Sequence, residues 1–233
     1  MIDTHCHLLP GLDDGAASDA ESIEMARRMS AEGVRTVVCT PHFSRRYPTS
    51  VERAVARLAR LRTDLADLGI DLRTELAAEV SPTMALSAPP QELAARAIGG
   101  SFLLVELQSS TEASFLDDAL SRLKPFGLSP IFAHPERCLA IRRSPQVVDG
   151  PREHGALVQV VAPSLAGRSD AAASASAWSL VKSGRADLVA SDAHRSRAVG
   201  LQLRAIRALI GSHCGDAVAT RLMSTTPASL LAS

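Results

Sequence analysis

The 233-residue sequence has few aromatic side chains, no excess of one charge and no long apolar run. Aromatic residues make up 3% of the chain, so aliphatic side chains must supply the core. The 25 basic and 25 acidic residues give a formal net charge of +0, which gives no indication of a nucleic-acid-binding surface. No stretch of about eighteen apolar residues is present, so we expect no membrane insertion. Oligomeric state is left open by these features.

Cysteine is scarce as well, with four residues at Cys6, Cys39, Cys138 and Cys214 and no C-x-x-C pair. There is also no basic segment followed by an apolar one, the pattern that marks a secretory signal. We therefore expect reduced thiols and a cytoplasmic protein. A composition of 46% hydrophobic residues is sufficient for one globular domain, which we assign to residues 1–233.

Short apolar runs rich in β-branched residues alternate with amphipathic segments along the chain. The seven predicted strands are Ile2–His5, Arg35–Thr40, Glu75–Val80, Phe102–Leu107, Pro130–Ala133, Leu157–Val161 and Asp187–Ala190. Repeated strand–helix units favour a parallel sheet, and no glycine-rich dinucleotide turn follows the first strand. The sequence therefore predicts an α/β fold, a distorted (β/α)7 TIM-like barrel in a single domain.

Helix signals occupy most intervals between these strands. Ser18-x-x-Glu21 is a capping box, and Gly33 is a natural stop for the helix that it begins. Between Ser50 and Gly69 a helical apolar stripe is formed by Val55, Leu58, Leu61, Leu65 and Leu68. Three further helices are predicted over Phe115–Phe126, Ala171–Ser183 and Val199–Ile210.

Metal-ligand residues follow the predicted strands. His5 and His7 lie two apart at the end of the first strand, so their side chains share one face. Six of the seven strand ends carry His, Asp or Glu, and the carboxyl ends of barrel strands are where active sites lie. The nine candidate ligands are His5, His7, Asp14, His42, Glu79, Glu106, His134, Asp192 and His194.

One shared metal centre explains these residues better than separate salt bridges, because buried carboxylates are costly without a partner. One catalytic zinc needs three protein ligands, so nine predict two or three ions with bridging carboxylates. Imidazole and carboxylate ligands without thiolate favour Mn, Fe or Zn.

The motifs resemble the PHP superfamily of metal-dependent phosphoesterases. Within it, they are most similar to the manganese-dependent tyrosine phosphatases of bacterial capsule and exopolysaccharide operons. The matching strings run over nearly the whole chain: Ile2-Asp-Thr-His-Cys-His7, Asp13-Asp-Gly15, Thr40-Pro-His42, Ala78-Glu79, Val105-Glu106, Ala133-His-Pro-Glu-Arg137 and Ala190-Ser-Asp-Ala-His194.

The resemblance implies a trinuclear Mn²⁺ site. One ion would be held by His5, His7, Glu79 and Asp192. A second would share Glu79 and add Glu106 and His134. A third would be held by Asp14, His42 and His194.

The resemblance also implies hydrolysis of phosphotyrosine by metal-activated hydroxide, with arginines on the phosphate. Arg137 matches the first phosphate-binding arginine, and Arg197 is preferred over Arg195 for the second. Val161 stands where the family often has Asn. No C-x5-R loop surrounds any cysteine, which argues against a cysteine-dependent phosphatase.

The expected substrate is a phosphotyrosine protein, namely the tail of a bacterial tyrosine autokinase in polysaccharide biosynthesis. Two alternatives remain open. One is a small-molecule phosphomonoesterase of the same superfamily, such as a histidinol-phosphate phosphatase. The other is a catalytically weak PHP module that regulates a partner.

Asp3 and Asp13 are interpreted equally well as supports for a metal-binding histidine or as local hydrogen-bonding groups. Arg45 and Arg46 are favoured as a solvated pair over a contact with an acidic substrate tail. Glu136 is interpreted as a surface salt-bridge partner of Arg137.

Three other residues receive structural interpretations. His154 is interpreted as a helix cap and His213 as a surface residue. Trp178 is expected to anchor a helix to the barrel.

Overall fold

The strands of the computed structural model, which describes residues 1–197 and 202–232, pair in parallel, as strand–helix alternation predicts. Their bounds are β1 Ile2–Cys6, β2 Thr36–Cys39, β3 His42–Phe43, β4 Arg73–Leu76, β5 Glu79–Val80, β6 Phe102–Glu106, β7 Ser129–Ala133, β8 Leu157–Val161 and β9 Leu188–Ala190. Their side chains are largely buried and aliphatic, with Phe132 among the largest of the core. Both faces of such strands are covered, as is typical of parallel sheets.

The strands form two sheets, one in the order β1-β2-β4 and the other in the order β3-β5-β6-β7-β8-β9. The predicted strand Glu75–Val80 is therefore divided, because β4 ends at Leu76 in one sheet and β5 begins at Glu79 in the other. Pro41 interrupts the preceding strand in the same way, since proline has no N–H for a ladder hydrogen bond. The peptide N–H of Glu79 donates to the Pro41 carbonyl at 3.2 Å. This bond lies at the start of the pairing between β3 and β5.

Hydrogen bonds also join the first and last strands. The His7 N–H donates to the Ala193 carbonyl at 3.0 Å, and the Asp192 N–H donates to the His5 carbonyl at 2.9 Å. This contact brings the carboxyl end of β1 beside the segment that follows β9. The prediction of a parallel α/β fold is confirmed, and the described strands pair as two sheets whose first and last strands meet through these bonds.

Helices connect the strands. Their bounds are α1 Asp19–Ala31, α2 Val51–Asp67, α3 Pro82–Ser87, α4 Pro90–Ala94, α5 Ser114–Leu123, α6 Leu139–Arg143, α7 Asp149–Glu153, α8 Ala162–Leu165, α9 Ala171–Lys182, α10 Leu203–Cys214, α11 Asp216–Thr220 and α12 Thr226–Leu231. Short 3-10 turns cover Lys124–Phe126, Pro135–Arg137 and Pro145–Val148, and a π-helical turn covers Arg221–Thr225. Within the described ranges, no helix has the length and apolarity needed to cross a membrane.

The helix signals are mostly confirmed. The Ser18 hydroxyl accepts from the Glu21 N–H at 3.2 Å at the start of α1, and Gly33 has a φ of 84° just beyond its end. The stripe predicted for α2 was partly wrong, because Val55 and Leu68 are exposed. The buried face of α2 instead begins at Ala54, one residue earlier, and continues through Leu58, Leu61 and Leu65.

The remaining helix predictions are confirmed by α5 with its 3-10 extension and by α9. For the predicted helix Val199–Ile210, the start lies outside the described residues, and α10 begins at Leu203. Trp178 is partly buried and its indole N–H donates to the Leu165 carbonyl at 3.2 Å, which ties α9 to the end of α8.

Candidate metal centre

Two buried imidazoles meet at the carboxyl end of β1. His5 is in the strand and His7 follows it, and the alternation of side chains along extended backbone directs both to one side. Their Nε2 atoms lie 3.2 Å apart. Two adjacent ring nitrogens at this distance would repel one another if both were protonated, so the pair is well suited to sharing a cation.

Glu79 lies at the centre of the candidate site. It begins β5 and is buried, and its Oε2 lies 3.4 Å from His5 Nε2 and 3.3 Å from His7 Nε2. The same oxygen lies 3.0 Å from His42 Nδ1, while Oε1 lies 2.8 Å from His134 Nε2. One carboxylate therefore contacts four imidazoles, the arrangement expected of a bridging ligand.

Asp192, which follows β9, contacts the same two histidines. Its Oδ1 lies 3.4 Å from His5 Nε2 and 3.8 Å from His7 Nε2. Its φ is 49° and that of His134 is 38°, both in the left-handed region that non-glycine residues seldom adopt. Such strain concentrates at functional sites, where the surrounding structure holds a side chain in a required direction.

A second group of candidate ligands is more exposed. Asp14 Oδ1 lies 3.4 Å from His42 Nε2 and 3.5 Å from His194 Nε2. One ligand atom from each of these residues and from His7 can be chosen so that all four lie within 4.8 Å of one another. His5, His7 and Asp192 satisfy the same criterion, so His7 is common to both groups.

Glu106 ends β6 and is partly buried beside these groups. Within the described part of the chain, no hydrogen bond or ion pair joins its carboxylate to another side chain. Burial raises the pKa of Glu106, and the negative charge of Glu79 raises it further. A carboxylate under these two influences gains more than an isolated one from a nearby cation.

The second ring nitrogens of His5 and His7 are each fixed by a hydrogen bond. His5 Nδ1 donates to Gln159 Oε1 at 2.9 Å, and the Gln159 amide in turn donates to the Thr4 hydroxyl at 2.9 Å. His7 Nδ1 donates to Asp13 Oδ2 at 2.7 Å. These bonds keep Nδ1 facing away from the centre, so that both Nε2 atoms can present lone pairs to an ion that replaces their protons, as in metal-bound histidines.

Gln159 was missed as a site residue, because β8 was interpreted as a strand without a ligand-type end. Its signal was a single amide within the apolar run Leu157–Val161. Asp13 is both a support for a histidine and a local hydrogen-bonding group. Its Oδ2 accepts from His7 Nδ1, and its Oδ1 accepts the Gly15 N–H at 2.8 Å. Asp3 is buried, and its Oδ1 accepts from the Ser191 N–H at 2.9 Å and from the His5 N–H at 3.3 Å.

The charges of the site are biased towards a cation. Burial opposes ionisation of Glu79, yet the nearby charge of His5 and hydrogen bonds with His134 and His42 hold its pKa well below the usual range. Burial also disfavours charge on His7, but hydrogen bonds to Asp13 and Glu79 raise its pKa to about 10. Protons on the imidazoles thus balance the carboxylates, which is the role that metal ions would take over.

Arg137 and Glu136 follow His134 in a 3-10 turn. The Arg137 guanidinium donates to Asp192 Oδ2 at 2.8 Å, which places it at the edge of the centre. The interpretation of Glu136 as a surface salt-bridge partner was wrong. Its side chain is buried and Oε1 accepts from the Val161 N–H at 3.1 Å, because the turn directs it beneath the site towards β8.

The other arginines lie further out. Arg195 donates to the Gly15 carbonyl. Arg197 is exposed, and its choice as the second phosphate-binding residue stays a prediction. Arg45 and Arg46 are exposed on the loop after β3.

Two histidines assigned structural roles have contacts that agree with those roles. His154 Nδ1 donates to the Gly150 carbonyl at 2.9 Å as a helix cap. The ring of His213 packs against Trp178 with centroids 4.9 Å apart.

The donor set fits divalent metal ions. It consists of imidazole nitrogens and carboxylate oxygens without thiolate, which matches Mn, Fe and Zn in preference to soft ions. The lone pairs converge and the outer nitrogens of His5 and His7 are already bonded to protein acceptors. Fold and site together define an α/β protein with a candidate polynuclear metal centre at the carboxyl ends of its parallel strands.

Comparison with known proteins identifies the family. Residues 1–232 match the model of a protein family described as "Capsular polysaccharide synthesis, CpsB/CapC". The chain is 32% identical over 205 residues to tyrosine-protein phosphatase YwqE of Bacillus subtilis, covering 83% of this chain and 77% of the relative. The chain therefore belongs to the CpsB/CapC family.

Solved structures agree with this assignment. A structure from work on YwqE of Bacillus subtilis and CpsB of Streptococcus pneumoniae, described as metal-dependent tyrosine phosphatases, superposes with a TM-score of 0.89 at 28% identity. It covers 100% of this chain and 94% of the other. Dihydropyrimidinase from Brevibacillus agri superposes with a TM-score of 0.61 at 12% identity over 99% of this chain and 70% of its own, which shows a common fold alone.

Proposed function

We propose that this protein is a metal-dependent protein-tyrosine phosphatase formed by one PHP-type domain over residues 1–233. The observation that carries the proposal is the convergence of eight of the nine predicted ligands, in which Glu79, Asp14 and Asp192 contact the five histidines, with Glu106 beside them. Relatives named as tyrosine phosphatases support the reaction class.

The proposed centre holds two or three Mn²⁺ ions, with Fe or Zn as alternatives. The ligands proposed are His5, His7, Asp14, His42, Glu79, Glu106, His134, Asp192 and His194. The close contacts of Glu79 with four histidines favour it as the residue common to two ions. When bound, such ions lower the pKa of coordinated water and supply hydroxide near neutral pH.

The protein contributes charge and orientation to the reaction. The Arg137 guanidinium can form two parallel hydrogen bonds to phosphate oxygens, and its position against Asp192 directs it to the centre. There it stabilises negative charge that spreads over the phosphoryl oxygens. The leaving group is tyrosine, whose pKa of about 10 makes a strong general acid unnecessary. Arg197 is proposed as a second phosphate contact.

The proposed substrate is the phosphorylated tail of a bacterial tyrosine autokinase that acts in capsule or exopolysaccharide synthesis, in the cytoplasm. The capsular polysaccharide description of the family supports this setting.

The test measures bound metals by mass spectrometry and phosphate release from a phosphotyrosine peptide, before and after chelation and Mn²⁺ addition. We expect two or three ions per chain and activity that disappears on chelation and returns with Mn²⁺. Histidinol phosphate is assayed in parallel. Hydrolysis of histidinol phosphate but not of the peptide would identify a small-molecule phosphatase. Bound metal without hydrolysis of either compound would indicate a regulatory module.

A further inference from the structure

A cavity of about 360 Å³ opens beside the candidate metal centre. Its volume lies at the lower end of the range for small-ligand sites, so it is suited to one side chain rather than to a whole peptide. The lining residues are Asp14, His42, Ser44, Arg45, Arg46, Tyr47, Ser81, Thr83, Glu106 and Gln108.

The cavity lining combines two kinds of chemistry. Three proposed metal ligands, Asp14, His42 and Glu106, and two arginines are among the residues that line it. Among the described residues, no carboxylate lies within 4.0 Å of the guanidinium of Arg45 or Arg46. Both side chains are exposed, so two uncompensated positive charges stand at the rim.

The loop that carries these arginines is held in place by its own hydrogen bonds. The Ser44 N–H donates to the Tyr47 carbonyl at 3.1 Å, and the Tyr47 N–H donates to the Ser44 hydroxyl at 3.1 Å. Phe43 and Pro48 pair across the base of the loop. The rim charges are therefore displayed on a closed turn, which lowers the entropy lost when they bind.

Aromatic contacts connect this turn to the metal centre. The Tyr47 ring stacks on His42 with centroids 5.5 Å apart and an interplanar angle of 11°. The Arg46 guanidinium lies 5.1 Å from the centroid of Tyr47. These contacts fix the positions of Tyr47 and Arg46 relative to His42, a proposed metal ligand.

We infer that the loop Ser44–Tyr47 selects phosphotyrosines that are flanked by acidic residues. The inference rests on the proposed function, since the phosphoryl group must point to the metal ligands that line the cavity. The phosphotyrosine side chain then occupies the cavity, and the neighbouring peptide residues lie at its rim. Aspartate or glutamate at those positions would pair with Arg45 and Arg46, whose planar guanidinium groups match carboxylates.

The experiment compares three phosphotyrosine peptides of equal length with acidic, neutral or basic flanking residues. The measured quantity is kcat/KM for each peptide, at low and at high ionic strength. We expect the wild-type protein to favour the acidic over the neutral peptide by roughly tenfold, as two exposed ion pairs allow. The preference should shrink at high salt, because exposed charges are screened.

Variants locate the preference on the loop. Removing both charges in Arg45→Ala/Arg46→Ala should make kcat/KM nearly equal for the acidic and neutral peptides. Reversing them in Arg45→Glu/Arg46→Glu should give preference to the basic peptide. The matched control is Arg35→Ala/Arg73→Ala, which makes the same change in net charge at the opposite ends of the strands. The control should retain the acidic preference.

The outcomes separate the inference from the proposed function. Equal kcat/KM on all peptides in the wild-type protein, or a preference that persists in Arg45→Ala/Arg46→Ala, overturns the inference and leaves the phosphatase intact. If Arg45→Ala/Arg46→Ala lowers kcat/KM by the same factor for all three peptides, the inference is also overturned. The arginines would then bind the phosphate group that the peptides have in common. Absence of hydrolysis of any peptide by the metal-loaded wild-type protein overturns the proposed function and the inference with it.

Discussion

The two groups of candidate ligands use the same residue types but are built in different ways. In the inner group, the side chains of His5, His7, Glu79 and Asp192 are at most 5% exposed. In the outer group, His42 is 16% exposed, His194 30% and Asp14 48%. Burial strengthens electrostatic attraction and excludes competing water. The inner group is therefore expected to hold its ions more tightly, while the outer group exchanges with solvent.

The groups also differ in how their side chains are anchored. His5 and His7 each have a protein acceptor on the ring nitrogen that faces away from the centre. Asp14, in contrast, forms ion pairs with His42 and His194 and has no side-chain hydrogen bond among the residues that the structure describes. Preorganised ligands lose less conformational freedom when an ion binds. Anchoring and burial therefore both predict tighter metal binding by the inner group, and each can be tested separately.

The largest effect is expected from His7→Ala, because His7 belongs to both groups. The variant should lose more than one ion per chain and at least about a thousandfold in kcat, since metal stabilisation of the transition state amounts to several kcal/mol. Metal content by mass spectrometry and peptide turnover measure this. His154→Ala removes an imidazole from a helix cap and serves as the control. Loss of only one ion in His7→Ala would show that the two groups do not share this ligand.

A pair of isosteric changes tests whether the groups differ in affinity. Asp14→Asn should release only the outer ion and reduce kcat by about a hundredfold, a smaller loss because the inner ions remain. Asp192→Asn should instead weaken the binding of the inner ions. It also removes the negative charge that Arg137 pairs with. Titration with a metal chelator reports both affinities. Equal metal loss in the two variants would contradict the distinction between a tight inner group and an exchangeable outer one.

Asp13→Asn tests the anchoring of His7 with the ligand itself retained. Asparagine preserves the shape of Asp13 but removes the charge that the His7 N–H faces at 2.7 Å. We expect metal affinity to fall by about ten- to a hundredfold, the range found for changes in groups that orient metal-bound histidines. Asp71→Asn alters an exposed carboxylate paired with Arg35 and provides the control. Unchanged affinity in Asp13→Asn would assign Asp13 to its backbone hydrogen bonds with Gly15 and His42.

Much of the fold and most of the site could be predicted from the sequence, because strand alternation and parallel topology place strand-end side chains together. Gln159 could not, since a neutral amide in an apolar strand has no motif and its partner His5 is 154 residues away in the chain. The burial of Glu136 was equally hidden, because its neighbour Arg137 offered a local partner that the turn then separates from it. The division of the predicted strand Glu75–Val80 depended on the different strands with which its two halves pair.

The smallest effect is expected at Gln159, which anchors the other histidine of the inner pair. Gln159→Leu keeps the approximate volume but leaves His5 Nδ1 and the Thr4 hydroxyl without their partner. We expect about tenfold weaker metal binding, the lower end of the range for such anchors, because a neutral acceptor orients an imidazole less strongly than a carboxylate does. Chelator titration measures the affinity. Gln159→Glu retains an acceptor oxygen for His5 and should recover part of the loss. Gln159→Leu could instead lower metal affinity more than Asp13→Asn does. That result would show that the charge of the hydrogen-bond acceptor does not set the affinity, and that the orientation of the His5 imidazole does.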